Sequence, residues 1–308
     1  MERIAERIYQ IDLAHLGRLN VIASAIIELD DGIAIVDPGP SSTLPALRAG
    51  LAAGGWSLVD VRWLLVTHVH LDHAGACGEI VRQHPGIQVV VHEKGARHLE
   101  DPTRLMSSAQ RVFGNDLERL WGDFLPVPSA NLRRVNEGDS IHLELAGRRL
   151  DIAYTPGHAS HHVSYYDETT GLAFVGDSTG ARICDADLVL PTTPAPDIDL
   201  QAIHTSAERI LSWNPERLFL THFGPATNVA EHMSRHLSKL DSWSQYVEDA
   251  LRQQKEDDQA LADRFFAWVH ADLAQSLTVD QTLAYEQGAA THLSWHGLAR
   301  YWRTKPSE

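Results

Sequence analysis

Several features that would settle the class of this chain at once are scarce or missing. Its 308 residues hold only two cysteines, Cys77 and Cys184, too few for a disulfide scaffold. The amino-terminal stretch MERIAERIYQIDLAHLG lacks the uninterrupted apolar core of a signal peptide, so a reducing, cytoplasmic setting is expected. No apolar run approaches the ~18 residues that a membrane span needs, and no membrane partner is expected. Positive charge is in deficit: 26 Lys and Arg stand against 41 Asp and Glu, a net charge of −15. That balance disfavours a polyanion-binding surface and with it a nucleic-acid partner. A glycine-rich phosphate loop and a GxSxG serine elbow are both missing. The remaining composition is ordinary, with 44% hydrophobic and 22% charged residues. It suits one large domain, or an ordinary domain with a smaller appendage.

Strands and helices alternate through the first half. Residues 23 to 37 read as a buried hairpin turning at Asp30-Asp31-Gly32 and stopped by Asp37-Pro38-Gly39-Pro40. A helix is expected over Thr43 to Ala52, then strands at Val61 to Val66 and Ile87 to Val91. From Lys94 to Trp121 the pattern is helical and interrupted at Pro102, and its apolar side is expected to pack as core rather than to cover a site. Between Ile141 and Gly176 the period changes to two, giving four short strands with turns at Ala146-Gly147 and Thr170-Gly171. A second sheet is implied. The proline-rich loop 191–199 precedes a helix from Leu200 to Ser212 and a strand from Arg217 to Leu220. Beyond Asn228 apolar residues recur only at helical spacing, with Lys255-Glu256-Asp257-Asp258 as an exposed turn and one or two short helices from Thr278 to Trp302. The expected division is therefore residues 1–230 and a helical region 231–308.

Histidine and aspartate are abundant in one place. THVHLDHAG, from Thr67 to Gly75, sets His68, His70, Asp72 and His73 at a strand-to-helix turn. His158, Asp177 and His222 each follow a later run of strand character. Ligands just past strand ends converge on one rim of a sheet, where loops build sites. Seven donors exceed what one ion takes, whereas five histidines and two aspartates, one carboxylate bridging, suit a pair of divalent ions. On donor type these are zinc, iron or manganese. Paired ions lower the pKa of a shared water and polarise the substrate oxygen, which is hydrolytic chemistry.

These residues, His68-x-His70-x-Asp72-His73 followed by His158, Asp177 and His222, resemble the metallo-β-lactamase fold superfamily, in particular its glyoxalase II-like hydrolases. The resemblance covers roughly residues 8 to 225. It implies an α/β fold, a four-layer αββα sandwich of two mixed β-sheets, here with a C-terminal helical extension. It also implies His68, His70 and His158 on one metal, Asp72, His73 and His222 on the other, and Asp177 between them. True zinc β-lactamases of the superfamily lack the bridging aspartate, and the diiron redox branch carries acidic residues where His70 stands. The expected reaction is attack by a metal-bridging hydroxide on a thioester, ester or lactone of a small molecule, with Asp72 relaying the proton to the leaving group. A phosphodiesterase, a mononuclear-iron sulfur dioxygenase and a regulatory protein that keeps the metal cleft for ligand binding are the alternatives.

Arg182, five residues past Asp177, and Phe223, beside His222, are expected to contact substrate. His161 and His162 read as hydrogen-bonding or surface residues rather than ligands. Tyr165 and Tyr166 face opposite sides of one strand, and both cysteines read as inert thiols. The C-terminal helices either cover the cleft or form a homodimer interface.

Overall fold

The computed structural model describes residues 1–136, 141–184, 186–253 and 257–305. Apolar strands are buried on both faces, which requires a layer on each side of every sheet. In chain order, β1 (Glu2–Ala5) and β2 (Ile8–Asp12) precede the expected hairpin β3 (Ala23–Glu28) and β4 (Ile33–Val36). Next come α1 (Leu44–Ala53), β5 (Val61–Leu65), α2 (Leu71–Ala74), α3 (Cys77–Gln83) and β6 (Gln88–His92). Three helices, α4 (Glu93–Glu100), α5 (Thr103–Phe113) and α6 (Leu117–Trp121), lead to β7 (Leu132–Val135). These strands pair in sequence order as a seven-stranded sheet, antiparallel through β4 and parallel from β4 to β7.

The second sheet follows from β8 (Ile141–Leu145), β9 (Arg148–Tyr154), β10 (Val163–Asp167) and β11 (Leu172–Phe174). After α7 (Leu200–Leu211) it adds β12 (Arg217–Leu220) and β13 (Gly224–Ala226), in the order β13-β12-β11-β10-β9-β8. Only β11 and β12 are parallel, because α7 supplies the crossover between them. Asp199 caps α7 by accepting the Ala202 amide at 3.0 Å.

Alternation along the strands divides the core. Ile8, Ala25 and Ile27 of the first sheet meet Val163, Tyr165 and Phe174 of the second in one cluster between the sheets. Ile26, Ile35 and Leu64 point to the opposite face and pack with the first helical layer. Tyr166, Ala173 and Leu218 pack outward against the other. The result is the four-layer αββα sandwich. Tyr165 and Tyr166 do face opposite sides, and Tyr165 donates its hydroxyl to the Val66 carbonyl at 2.8 Å.

Past Val229 the chain is helical: α8 (Val229–Gln253), α9 (Asp258–Leu273), α10 (Val279–Ala289) and α11 (Thr291–Thr304). Lys255 and Glu256 of the expected turn lie outside the described residues, and Asp257 caps α9 through the Ala260 amide at 2.8 Å. Phe265 stands between Trp243 and Trp295, at 5.5 and 6.1 Å. This cluster continues without a break into the helical layer of the first sheet. Polar ties reinforce it, including Tyr285 to the Leu188 carbonyl at 2.7 Å and Gln287 to the His15 carbonyl at 2.9 Å. Among the described residues no helix is long and apolar enough to cross a membrane.

Candidate metal centre

Four strand ends deliver the chemistry to one rim. After β5 the chain passes Thr67 and His68 to His70, the residue that opens α2, and that single helical turn presents Asp72 and His73. His158 follows β9, Asp177 follows β11 and His222 follows β12. Gly176 makes the approach of Asp177 feasible. Its φ is 48°, and a Cβ there would lie 2.6 Å from Thr67 Oγ1 and 2.7 Å from His162 Nε2.

The seven side chains named from the sequence come together as three groups, His68, His73 and Asp177 linking the other two. His70 Nδ1 lies 2.9 Å from His68 Nε2 and 3.0 Å from His158 Nε2. Asp72 Oδ2 lies 3.1 Å from His222 Nε2 and 3.7 Å from His73 Nε2. Asp177 stands between them: its Oδ2 is 3.6 Å from His158 Nε2, while its Oδ1 is 3.2 Å from His73 Nε2 and 3.7 Å from His222 Nε2.

Contacts behind the rings set which nitrogens face inward. His158 Nδ1 donates to the Thr192 carbonyl at 2.8 Å and His222 Nδ1 to the Val21 carbonyl at 2.9 Å, so each Nε2 presents a lone pair to the centre. His73 Nδ1 bonds Asp37 Oδ2 at 2.8 Å. Burial pushes His68 well below the ordinary imidazole range, lowers His70 to about 4, and lowers His158 also, which keeps these rings neutral. For His73 burial pulls the same way, but Asp72, Asp177 and Asp37 outweigh it and hold the ring well above the usual value. Burial would raise Asp177, yet His73, His222 and His158 hold it well below the carboxylate range. His73 Nε2 and Asp177 Oδ1 are buried with no hydrogen-bond partner apart from each other, at 3.2 Å. Convergent lone pairs beside carboxylates suit divalent cations: His68, His70 and His158 form one group able to hold an ion, and Asp72, His73 and His222 another.

Asp37 carries a role that the sequence did not disclose. Read there only as the end of a strand, it is fully buried with φ 48°. Besides His73 it accepts the Thr67 amide at 2.8 Å and the Thr67 and Thr221 hydroxyls, each at 2.7 Å. Its position directly past a strand end, on the rim that carries the ligands, is the signal that could have found it.

His161 and His162 act as hydrogen-bonding residues, as expected. His162 contacts Thr155 Oγ1 at 3.0 Å and accepts the Asp177 amide at 3.3 Å, while His161 accepts the Val69 amide at 3.4 Å. Cys77 is fully buried and its thiol is pushed far up by that burial, consistent with an inert role.

Over the centre opens a cleft of about 340 Å³ reached by His70, Asp72, His158 and Asp177. Leu105, Val112 and Phe113 of α5 and Trp121 of α6 line it, so the helices expected to pack only as core also cover the site. The opposite lip is the α10–α11 junction, from Glu286 to Leu293. Arg182 and Phe223 are not among its lining residues. Arg182 supports His222 through the main chain, its amide donating to the His222 carbonyl at 2.5 Å, and its side chain lines a separate depression with Asp187 and His232. Phe223 packs against the core between the sheets. The predicted substrate contacts thus lie outside the lining of the cleft.

Residues 17–222, more than half of the chain, match the metallo-beta-lactamase superfamily, and the chain belongs to it. It is a superfamily metallo-hydrolase with a His/Asp cluster of the kind that takes divalent metals. The chain is 32% identical over 182 residues to a metallo-beta-lactamase fold-containing protein of Sulfurisphaera tokodaii, covering 58% of this chain and 67% of that one. It is 29% identical over 197 residues to a hydroxyacylglutathione hydrolase of Ectopseudomonas mendocina, covering 64% of this chain and 58% of the hydrolase. The crystal structure of an archaeal superfamily protein from Sulfolobus tokodaii aligns with a TM-score of 0.65 at 21% identity, over 94% of this chain and 97% of that chain. That likeness is one of fold.

Proposed function

We propose that this chain is a binuclear metal-dependent hydrolase of a small-molecule thioester, ester or lactone. The supporting observation is the placement of Asp177, whose two carboxylate oxygens face different histidine groups, Oδ2 towards His158 and Oδ1 towards His73 and His222. His68, His70 and His158 would hold one ion, and Asp72, His73 and His222 the other, with Asp177 shared. Two divalent cations, zinc or alternatively iron or manganese, would supply a water that ionises near neutral pH and would polarise the carbonyl under attack.

The protein's own groups do the rest. Asp37 and the Thr192 and Val21 carbonyls fix ring orientation and tautomer. Asp72, which lines the cleft and is less buried than its neighbours, is placed to carry a proton to the departing atom. α5, α6 and the α10–α11 junction keep bulk water from the acyl group. The similarity to a hydroxyacylglutathione hydrolase, an enzyme of a thioester, supports this choice of bond. Metal content by elemental analysis, with turnover measured on thioester, lactone and phosphodiester panels, tests the reading. About two metals per chain and acyl hydrolysis are expected; fewer than one metal, or turnover of phosphodiesters alone, would overturn it.

A further inference from the structure

The cleft facing the metal centre has walls that are largely hydrocarbon, from Leu105, Val112 and Phe113 on one side to Leu293 on the other. Among the described residues no lysine or arginine lines it. The carboxylates that do are Asp72, Asp177 and Glu286, the last bonded by His270 at 3.0 Å and His292 at 3.4 Å. Asp72 and Asp177 belong to the metal centre, whose ions would attract an anion; away from it the wall offers an anionic conjugate no lysine or arginine, only hydrocarbon and Glu286. Hydrocarbon would be favoured by leaving water.

Of the polar side chains that interrupt the apolar wall, His15 and Trp121 have ring nitrogens left unpartnered. His15 is 1% exposed and stacks on Trp121, ring centroids 5.1 Å apart and planes within 10°. Neither ring nitrogen of His15 nor Trp121 Nε1 has a hydrogen-bond partner. A ligand that bonds one of these atoms removes the cost of leaving it unpaired.

We propose that the cleft takes an uncharged substrate whose acyl chain packs against Phe113, Trp121 and Leu293 and whose neutral polar group bonds the His15 imidazole. The proposal rests on the hydrolase reading for the reaction and goes beyond it in the substrate's class: neutral thioesters, esters or lactones with an apolar acyl group, in place of acyl-glutathiones or other anionic conjugates.

Binding and turnover test it separately, on the full chain with its metals and after chelation. The binding probes are two thioethers that cannot be hydrolysed, S-octyl-N-acetylcysteamine, which is neutral, and S-octylglutathione, which is anionic, measured by calorimetry. The neutral probe should bind at least about tenfold more tightly in both metal states, and affinity along the butyl-to-octyl series should rise by up to roughly fourfold per buried methylene. His15→Phe keeps a stacked ring and should weaken the neutral probe about fivefold to tenfold. Val112→Arg, at a half-exposed position on the mouth, should narrow the preference by improving the glutathione probe. Equal or tighter binding of S-octylglutathione to the unaltered chain, or no dependence on chain length, overturns the proposal. Octanoyl-N-acetylcysteamine then tests the reaction on its own. If the neutral probe is preferred but no neutral thioester, ester or lactone is hydrolysed, the hydrolase reading fails and the selectivity stands. If acyl-glutathiones bind best and are hydrolysed, the selectivity fails and the hydrolase reading stands.

Discussion

At the rim, inward-facing rings are held from behind: His73 by Asp37, His158 by the Thr192 carbonyl and His222 by the Val21 carbonyl. Across the cleft, His15 stacks on Trp121, which in turn meets the edge of Phe113, and the ring nitrogens of both are unpartnered amid leucine, valine and phenylalanine. One side is polar, rigid and built from loops at strand ends. The other is apolar and built from helices inserted between strands or appended after them. On the proposed reading, reaction type and substrate choice reside in separate parts of the chain, and substitutions on the two sides should have different signatures: loss of rate at the rim, change of preference on the wall.

The largest effect should come from Asp177→Asn, which weakens the carboxylate proposed to be shared by the two metal groups. Turnover should fall more than about a hundredfold, exceeding the loss typical of a partner that only supports a ligand, with fewer metals per chain by elemental analysis. Unchanged metal content would remove Asp177 from the role of bridge. Asp37→Ala leaves all seven donors in place but strips His73, Thr67 and Thr221 of their common acceptor. Metal affinity, measured by competition with a chelator, should drop about 10- to 100-fold, while the order of preference among substrates stays as it was; a changed order would break the separation of rim from wall. Phe113→Ala should do the reverse, raising KM for an octanoyl thioester by about tenfold while the acetyl thioester is unaffected. Equal losses for both substrates would show that the wall also supports the chemistry.

The smallest effect concerns stability and pH. Burial lowers His236 to about 3 and His232 to about 4 from an ordinary 6.5, both on α8 and outside the rim. Between pH 6.5 and those values the unfolded chain binds more protons than the folded one, so stability must fall as the solution is acidified through that window. For His236 the loss should reach about 2 kcal/mol near pH 5. Thermal unfolding of His236→Gln should show a shallower acid limb than the unaltered chain, and parallel limbs would contradict the assignment.

What could be read from the sequence followed the same division. Metal ligation restricts residue type so strongly that His68, His70, Asp72, His73, His158, Asp177 and His222 stood out, and the structure brings them to one rim. The two mixed sheets were legible wherever strands were apolar. β1 and β2 were not, since exposed charges and the buried Gln10 obscure their alternation. β7 carries two exposed arginines, and β13 is three residues long with an exposed edge proline. The wall was illegible for a different reason: an amphipathic helix shows the same apolar stripe whether it seals a core or lines a cleft. α5 and α6 were accordingly read as core.

Asp37 ties β4, the loop after β5, α2 and the end of β12 with a single carboxylate, and so staples the two sheets together at the rim. A second tie, the Ala23 amide to the Thr221 carbonyl at 2.8 Å, lies beside it. Neither tie uses an atom of the seven donors' inward faces, so the rim has links of its own within the chain. In small zinc domains metal binding and folding are one event; here the chain should survive chelation folded and accept a different metal without being refolded. That makes ion exchange in the native protein a practical way to learn which metal the site prefers.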